Sequence, residues 1–325
     1  MSYTWDELKG IAGMTPSFAT EDAGSLTATQ TVAVDNLQAG IDRIIKDGIG
    51  MLTTTGSFGQ CYNLFWDEFQ TLIRAAIEAN NKRVPLMLGV TSANPRETYQ
   101  KIKFVREAGG EGVLMGLPYY DGMSTPKIID FYKQMCELFP DISFMIYHNP
   151  PNHKARIPVR AFTELVKNPN IVCMKDSHRA PTEFVALHEI IDGKIAHMVN
   201  QTQLYPYYSM GAAGAWSIDA WRGPWPIIRL YQACVEGDNE TAKRIMRELR
   251  GEGTGDEFHA AQLPDVQAAD VQALTGYINP GPYRPPHALG PQDPTSERSR
   301  KTAERWNQLC EKYRPEVEAR RAALV

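Results

Sequence analysis

VPLMLGVTSANPRETYQKIKFVREAGGEGVLMGLPYY, residues 84–120, holds one complete strand–helix–strand passage. Its two ends are short apolar runs. Between them RETYQKIKFVREAG carries apolar residues three and four apart, the spacing of an amphipathic helix. A helix that returns the chain to the same edge of a sheet makes the two flanking strands parallel.

The same alternation runs through most of the chain. Short apolar runs recur as GIAGMTPSF (10–18), GIGMLTTTG (48–56), ISFMIYHNP (142–150), IVCMKDS (171–177), IAHMVNQT (195–202) and AAGAWSI (212–218). Helical patterns lie between them, such as WDEFQTLIRAAIEA, where Phe69, Leu72, Ile73, Ala76 and Ile77 share a face, and PKIIDFYKQMCELF. Near-continuous apolar strands suit a parallel sheet buried on both faces. Eight strand–helix units over roughly 230 residues predict a (β/α)8 TIM barrel, for which about 250 residues is typical. A doubly wound sheet is the alternative, less favoured because the eight strands alternate without a break.

After Gly237 the pattern changes. NETAKRIMRELRGEG continues as a helix. A Pro- and Gly-rich stretch, NPGPYRPPHALGPQDP, then precedes a long charged helix, SERSRKTAERWNQLCEKY. Residues 1–237 are therefore expected to form the barrel and residues 238–325 a helical extension packed on it, tied down by a loop over 277–295.

Composition narrows the function. The chain has 325 residues, 43% hydrophobic and 22% charged, with a formal net charge of −4. No basic stripe suited to nucleic acid stands out. MSYTWDELKG lacks the basic start and apolar core of a signal peptide, and no apolar run is long enough to predict a membrane span. Five widely spaced cysteines, Cys61, Cys136, Cys173, Cys234 and Cys310, suit reduced thiols in a cytoplasmic protein better than a disulfide framework. CxxC, HExxH, GxxxxGK[ST] and GxGxxG are all missing. The seven histidines show no ligand spacing, so no metal is expected.

In barrel enzymes chemistry sits at the C-terminal ends of the strands. Those positions hold Thr54-Thr55-Gly56-Ser57-Phe58-Gly59-Gln60, Pro118-Tyr119-Tyr120, Tyr147-His148-Asn149-Pro150, Lys175-Asp176 and Gly214-Ala215-Trp216. Lys175 is the lysine that directly terminates a predicted barrel strand. Desolvation would make its amine a nucleophile able to form a Schiff base with a ketone. A solvated strand-end lysine is the plainer reading of that residue alone. Tyr147 ends the adjacent strand, where a phenol can shuttle protons or merely anchor the barrel top. The Gly56–Gly59 turn offers a hydroxyl and backbone N–H groups near a helix start, suited to a carboxylate, although such turns are often only turns. Phe58, Tyr119, Tyr120 and Trp216 are expected near one mouth, where they suit an aromatic ring as well as ordinary packing.

Together these residues resemble the dihydrodipicolinate synthase/N-acetylneuraminate lyase family of Schiff-base barrels, over about residues 10–250 and again at RPP near residue 284. The shared features are GSFG, PYY, the tyrosine of YHNP and the lysine of MKDS, with a spacing of 28 residues from Tyr147 to Lys175. The resemblance implies that Lys175 forms the Schiff base and Tyr147 relays protons, with no cofactor. Gly56, Ser57 and Phe58 would hold the pyruvyl carboxylate, and Tyr120 would complete a relay or pack across a subunit contact. The synthases carry an arginine where this chain has Asn152, which argues against dihydrodipicolinate synthesis. GSFG, YHNP, Trp216 and GPYRPPH instead resemble the hydratase-aldolases that cleave benzylidenepyruvates such as trans-o-hydroxybenzylidenepyruvate. By that resemblance Asn149, Trp216 and Asn279 belong to the substrate site, and Asn279 matches a functional asparagine of those enzymes; His178, which follows a candidate catalytic position, is expected to line the same pocket. The implied function is cleavage of an arylidene-pyruvate to an aromatic aldehyde and pyruvate, in a homotetramer. Another pyruvate-dependent aldolase or a keto-sugar-acid dehydratase is the alternative, and a non-catalytic keto-acid sensor on the same barrel is a third.

Overall fold

Residues 84–120 fold as their pattern predicts. Strand β3 is Leu86–Gly89, helix α3 is Pro95–Glu107 and strand β4 is Gly112–Gly116, with β3 and β4 paired in parallel. Asn94 caps α3, its side-chain oxygen accepting the Arg96 N–H, and Pro95 opens the first turn, where a missing N–H costs nothing. The computed structural model describes residues 3–176, 179–250, 268–290 and 293–322. They divide into two compact units.

The first unit comprises Met1–Thr15, Gly50–Tyr62 and Asn80–Ser217 and contains every strand of the sheet. The other strands are β1 (Gly10–Met14), β2 (Met51–Thr53), β5 (Ser143–His148), β6 (Ile171–Asp176), β7 (Ala196–Asn200) and β8 (Gly214–Ser217). They close into a barrel in sequence order, each parallel to its neighbours, with β8 returning to β1. All eight runs picked out by sequence supply a strand. Nearly every strand residue is buried, which is why the runs read as apolar rather than alternating. Closure depends on Gly214, the register partner of Gly10. A Cβ built there would stand 1.9 Å from the Gly10 carbonyl oxygen.

The connections in this unit are less regular than the strands. Helices α4 (Thr125–Leu138) and α7 (Pro181–Ile191) are full crossovers. The β5–β6 and β7–β8 connections use one-turn pieces, α5 (Pro150–His153), α6 (Phe162–Leu165) and α8 (Leu204–Tyr208).

The second unit comprises Pro16–Ile49, Asn63–Ala79 and Ile218–Val325. It groups α1 (Val34–Lys46), α9 (Trp225–Glu236), α10 (Asn239–Arg250), a short helix Ala268–Leu274 and the C-terminal helix Glu297–Ala322; α2 (Trp66–Asn80) lies in it except for its last residue. The C-terminal helix buries Ala303, Trp306, Cys310, Tyr313 and Val317, one stripe at helical spacing. Buried Arg229 of α9 binds Glu316 of that helix at 2.9 Å and Glu236 at 3.2 Å. The GPYRPP segment has a mechanical role in this unit. Buried Arg284 donates from Nε to the Thr31 hydroxyl at 2.6 Å and from Nη2 to the Thr31 carbonyl at 2.7 Å. Thr31 in turn donates its N–H to Glu68 at 2.7 Å. Arg284 thus links the GPYRPP segment to Thr31 within this unit.

Candidate functional site

Register builds the site. In the β5–β6 pair Tyr147 is the partner of Lys175, and His148 is the partner of Asp176. Side chains alternate between the faces of a strand, so each pair faces the opposite way from the other. Strand β6 runs two residues past the apolar Ile171–Met174 core seen in the sequence, which carries both Lys175 and Asp176 into the barrel wall.

Lys175 is 5% exposed. Its Nζ lies 5.1 Å from the centroid of the Tyr147 ring and 5.4 Å from that of Trp216. The two rings stack at 5.5 Å with planes 16° apart. Strands β5 and β8 are not neighbours, so this contact runs across the barrel rather than along its wall. Burial pulls the Lys175 ammonium down to about 7, and the negative Asp176 next to it only partly opposes that. A lysine so tuned is about half neutral at pH 7, against well under 1% for an ordinary one. The plainer reading, a lysine in water, is ruled out by the burial.

Tyr147 joins this amine to a polar chain. Its hydroxyl donates to Ser57 Oγ at 3.2 Å and accepts the Asn149 Nδ2–H at 3.0 Å. Asn152 donates from Nδ2 to the same Ser57 Oγ at 2.9 Å. Burial raises the Tyr147 pKa, against the hydrogen bonds to Ser57 and Asn149, so the phenol stays protonated. His153 packs edge-on against the Tyr147 ring at 5.1 Å, and burial pushes its imidazole down to about 3.

The GSFG turn closes on itself through the Gln60 N–H to the Ser57 carbonyl at 3.0 Å. Space at Gly56 is tight. A Cβ there would approach the Met14 methyl to 3.0 Å and Trp216 to 3.6 Å. This turn is not a helix start as the sequence suggested, because α2 begins only at Trp66. Any anion there would rely on hydroxyl and backbone donors rather than on a helix dipole.

Behind Lys175, on the outer face of the wall, Asp176 organises a buried polar cluster. It meets His148 Nδ1 at 2.8 Å, Arg179 Nε at 2.6 Å and His197 Nε2 at 3.3 Å. His148 Nε2 accepts the Ile157 N–H at 3.2 Å, so its proton sits on Nδ1 and is donated to Asp176. Burial holds His148 and His197 below the usual histidine range despite the carboxylate beside them. Burial works against the Asp176 charge, yet the hydrogen bonds from both histidines keep it well below the usual carboxylate range.

The structure therefore brings together Lys175, Tyr147, Trp216, Ser57, Gly56 and Asn149, with Phe58 half-buried in the same turn. Tyr120 is elsewhere. Its side chain is 76% exposed, and Lys154 lies 5.8 Å over its ring. Asn279 belongs to the second unit, where it accepts the Gly281 N–H at 3.2 Å and lines a cavity of about 1010 Å³ with Asp270 and Tyr283. His178 lies outside the described residues. Asn152 as a partner of Ser57, and the Asp176 cluster, were not legible in sequence; only the polar residues DSHR after the strand hinted at the latter. Among the described residues no group of three or more His, Cys, Asp or Glu is placed to hold a metal ion, and no helix is long and apolar enough to cross a membrane.

Known proteins share this arrangement of chain. Residues 22–251 match the Dihydrodipicolinate synthetase family. The chain is 27% identical over 334 residues to the trans-O-hydroxybenzylidenepyruvate hydratase-aldolase of Pseudomonas aeruginosa, covering 97% of this chain and 96% of that protein. It is 26% identical over 282 residues to the 4-hydroxy-tetrahydrodipicolinate synthase of Methanospirillum hungatei, covering 86% and 92%. Its fold superposes on that of PhdJ bound to a substrate intermediate with a TM-score of 0.89 at 24% identity, covering 96% of this chain and 99% of that one.

Proposed function

The chain belongs to the dihydrodipicolinate synthetase family, and on that premise we propose that it is a lysine-imine hydratase-aldolase cleaving an arylidene-pyruvate to an aromatic aldehyde and pyruvate. The observation that carries this reading is the buried Lys175 amine, near neutrality at about 7, lying against the Tyr147 ring. The hydratase-aldolase relative, aligned over nearly the whole of both chains, supports the substrate class.

In this mechanism the neutral Lys175 amine attacks the 2-keto carbon, and water leaves to give a protonated imine. The imine draws electrons from the conjugated double bond; water adds at the benzylic carbon and gives up a proton, and protonation of the adjacent carbon restores the protonated imine. Loss of the benzylic hydroxyl proton then breaks the carbon–carbon bond and releases the aldehyde. The electron pair remains as an enamine on Lys175. Protonation of the enamine carbon and hydrolysis of the imine free pyruvate and regenerate the amine. Tyr147 moves protons in these steps. The stacked Tyr147 and Trp216 rings suit an aryl group at the same mouth.

The polar side of the site, with Ser57, Asn149 and Asn152, favours a second reading, an aldolase or dehydratase acting on an aliphatic keto acid. Incubation with pyruvate and borohydride, followed by intact mass and peptide mapping, tests the shared imine step. A reduced pyruvyl adduct on Lys175 is expected, and its absence would sink both readings. Loss of enone absorbance across a panel of arylidene-pyruvates then separates them. Turnover of sugar acids with failure across that panel moves the function to the second.

A further inference from the structure

The hydrogen-bond chain around Ser57 has a direction. Asn149 feeds a proton donor into the Tyr147 hydroxyl at one end, and Asn152 feeds one into Ser57 Oγ at the other. A carboxamide nitrogen donates and does not accept. Between these ends stand two hydroxyls with two protons, and only one proton fits between their oxygens, 3.2 Å apart. The second must point out of the chain. With Tyr147 donating to Ser57, Oγ accepts from both Tyr147 and Asn152, which fills both of its lone pairs. The Ser57 O–H can then only donate, and it does so away from both partners. A group that donates and cannot accept is matched to an anionic oxygen.

We propose that Asn152 is a positioning residue for the substrate carboxylate: by donating to Ser57 Oγ it keeps that hydroxyl a pure donor for the keto-acid carboxylate. This rests on the keto-acid reading above and adds to it the residue that sets the donor. In sequence Asn152 registers only as the lack of an arginine. In the folded chain it is the one side chain besides Tyr147 that meets Ser57 Oγ among the described hydrogen bonds. Asn152 is itself exposed, so trimming it leaves no hole in the core.

The experiment compares wild type, Asn152→Ala and Asn152→Asp by cyanoborohydride trapping at Lys175, using pyruvate and methyl pyruvate. The ester keeps the ketone and lacks the carboxylate charge. Asn152→Ala should raise the half-saturating pyruvate concentration about tenfold, the scale of one hydrogen bond to a charged group. Its limiting trapping rate should stay within about twofold of wild type, the signature of lost binding without lost chemistry. Methyl pyruvate should respond much less. Asn152→Asp should be worse for pyruvate than Asn152→Ala, because a carboxylate accepts the Ser57 proton and turns it from the substrate. Unchanged pyruvate saturation in both variants overturns the proposal, and so does an equal loss for the two ketones, which means that Asn152 only holds the fold. Wild type that traps neither ketone overturns the imine reading itself, and this proposal with it.

Discussion

Tyr147 and Lys175 are register partners on adjacent parallel strands, and the Lys175 Nζ lies 5.1 Å from the centre of the Tyr147 ring. An amine and a phenol held face to face in the barrel wall define what the site can do, and the following outcomes test it.

The first concerns pH. Lys175 titrates at about 7, so the neutral, nucleophilic amine should grow in as pH rises through 7. The initial rate of pyruvate trapping at Lys175, measured from pH 5.5 to 9, should climb with a midpoint near 7 and level off above it. A rate still climbing at pH 9 would show an ordinary lysine instead.

Stability should carry the opposite face of the same burial. The folded chain holds Lys175 at about 7, against 10.5 for the free side chain. Between those values the unfolded chain binds more protons, so this group makes stability rise with pH, by at most about 1.4 kcal/mol per pH unit. Below pH 7 the full penalty applies. Lys175→Met removes the titration, so the variant should exceed wild type in urea unfolding at pH 6.5 by more than it does at pH 9. An equal difference at both values would mean that lysine burial costs the fold nothing.

Tyr147→Phe keeps the ring against Lys175 and Trp216 and removes only the hydroxyl. Turnover of the accepted substrate should fall about 10²- to 10⁴-fold, the usual scale for an acid–base group, while the fold is retained. Near-normal turnover would remove Tyr147 from proton transfer.

Asp176→Asn leaves Arg179 buried without its carboxylate, at a site where the ion pair spans 2.6 Å. Breaking a buried pair from one side costs about 3–5 kcal/mol, read as a lowered urea midpoint. Because Asp176 is the charge that raises the Lys175 pKa, the trapping midpoint of any folded variant should move to lower pH. A midpoint that stays put would uncouple the outer cluster from the amine.

Gly214→Ala tests barrel closure rather than chemistry. Its Cβ would fall 1.9 Å from the Gly10 carbonyl oxygen, a backbone atom that has no rotamer to escape into. The variant should be recovered mostly insoluble, or with a lowered unfolding midpoint if soluble. Wild-type stability would mean that the β1–β8 seam opens without cost.

Much of this protein was legible before folding, for identifiable reasons. The eight strands could be read because a parallel barrel buries both faces of each strand, which writes continuous apolar runs such as Val113-Leu114-Met115 into the chain. Lys175 and Tyr147 could be picked out because each interrupts or ends such a run at the strand's C-terminal end. The second unit was harder. Residues 238–325 read as a helical extension, and the contacts that anchor it stayed hidden, because Arg284 and Tyr277 bond to Thr31 and Asp47, partners more than 200 positions away that no local pattern connects.

The sequence by itself determined the strands, their order and the lysine and tyrosine at their ends, because periodicity and punctuation are local properties of the chain. Tertiary structure alone decided the chemistry of those residues. The same Lys175 would titrate near 10.5 in water, and it is the contact with Tyr147, Trp216 and the surrounding wall that brings it to about 7. Likewise Asp176 became the centre of a buried cluster, Asn152 a partner of Ser57 and Tyr120 an exposed ring. Desolvation and hydrogen bonding depend on what surrounds a side chain, and those surroundings come from elements distant in sequence.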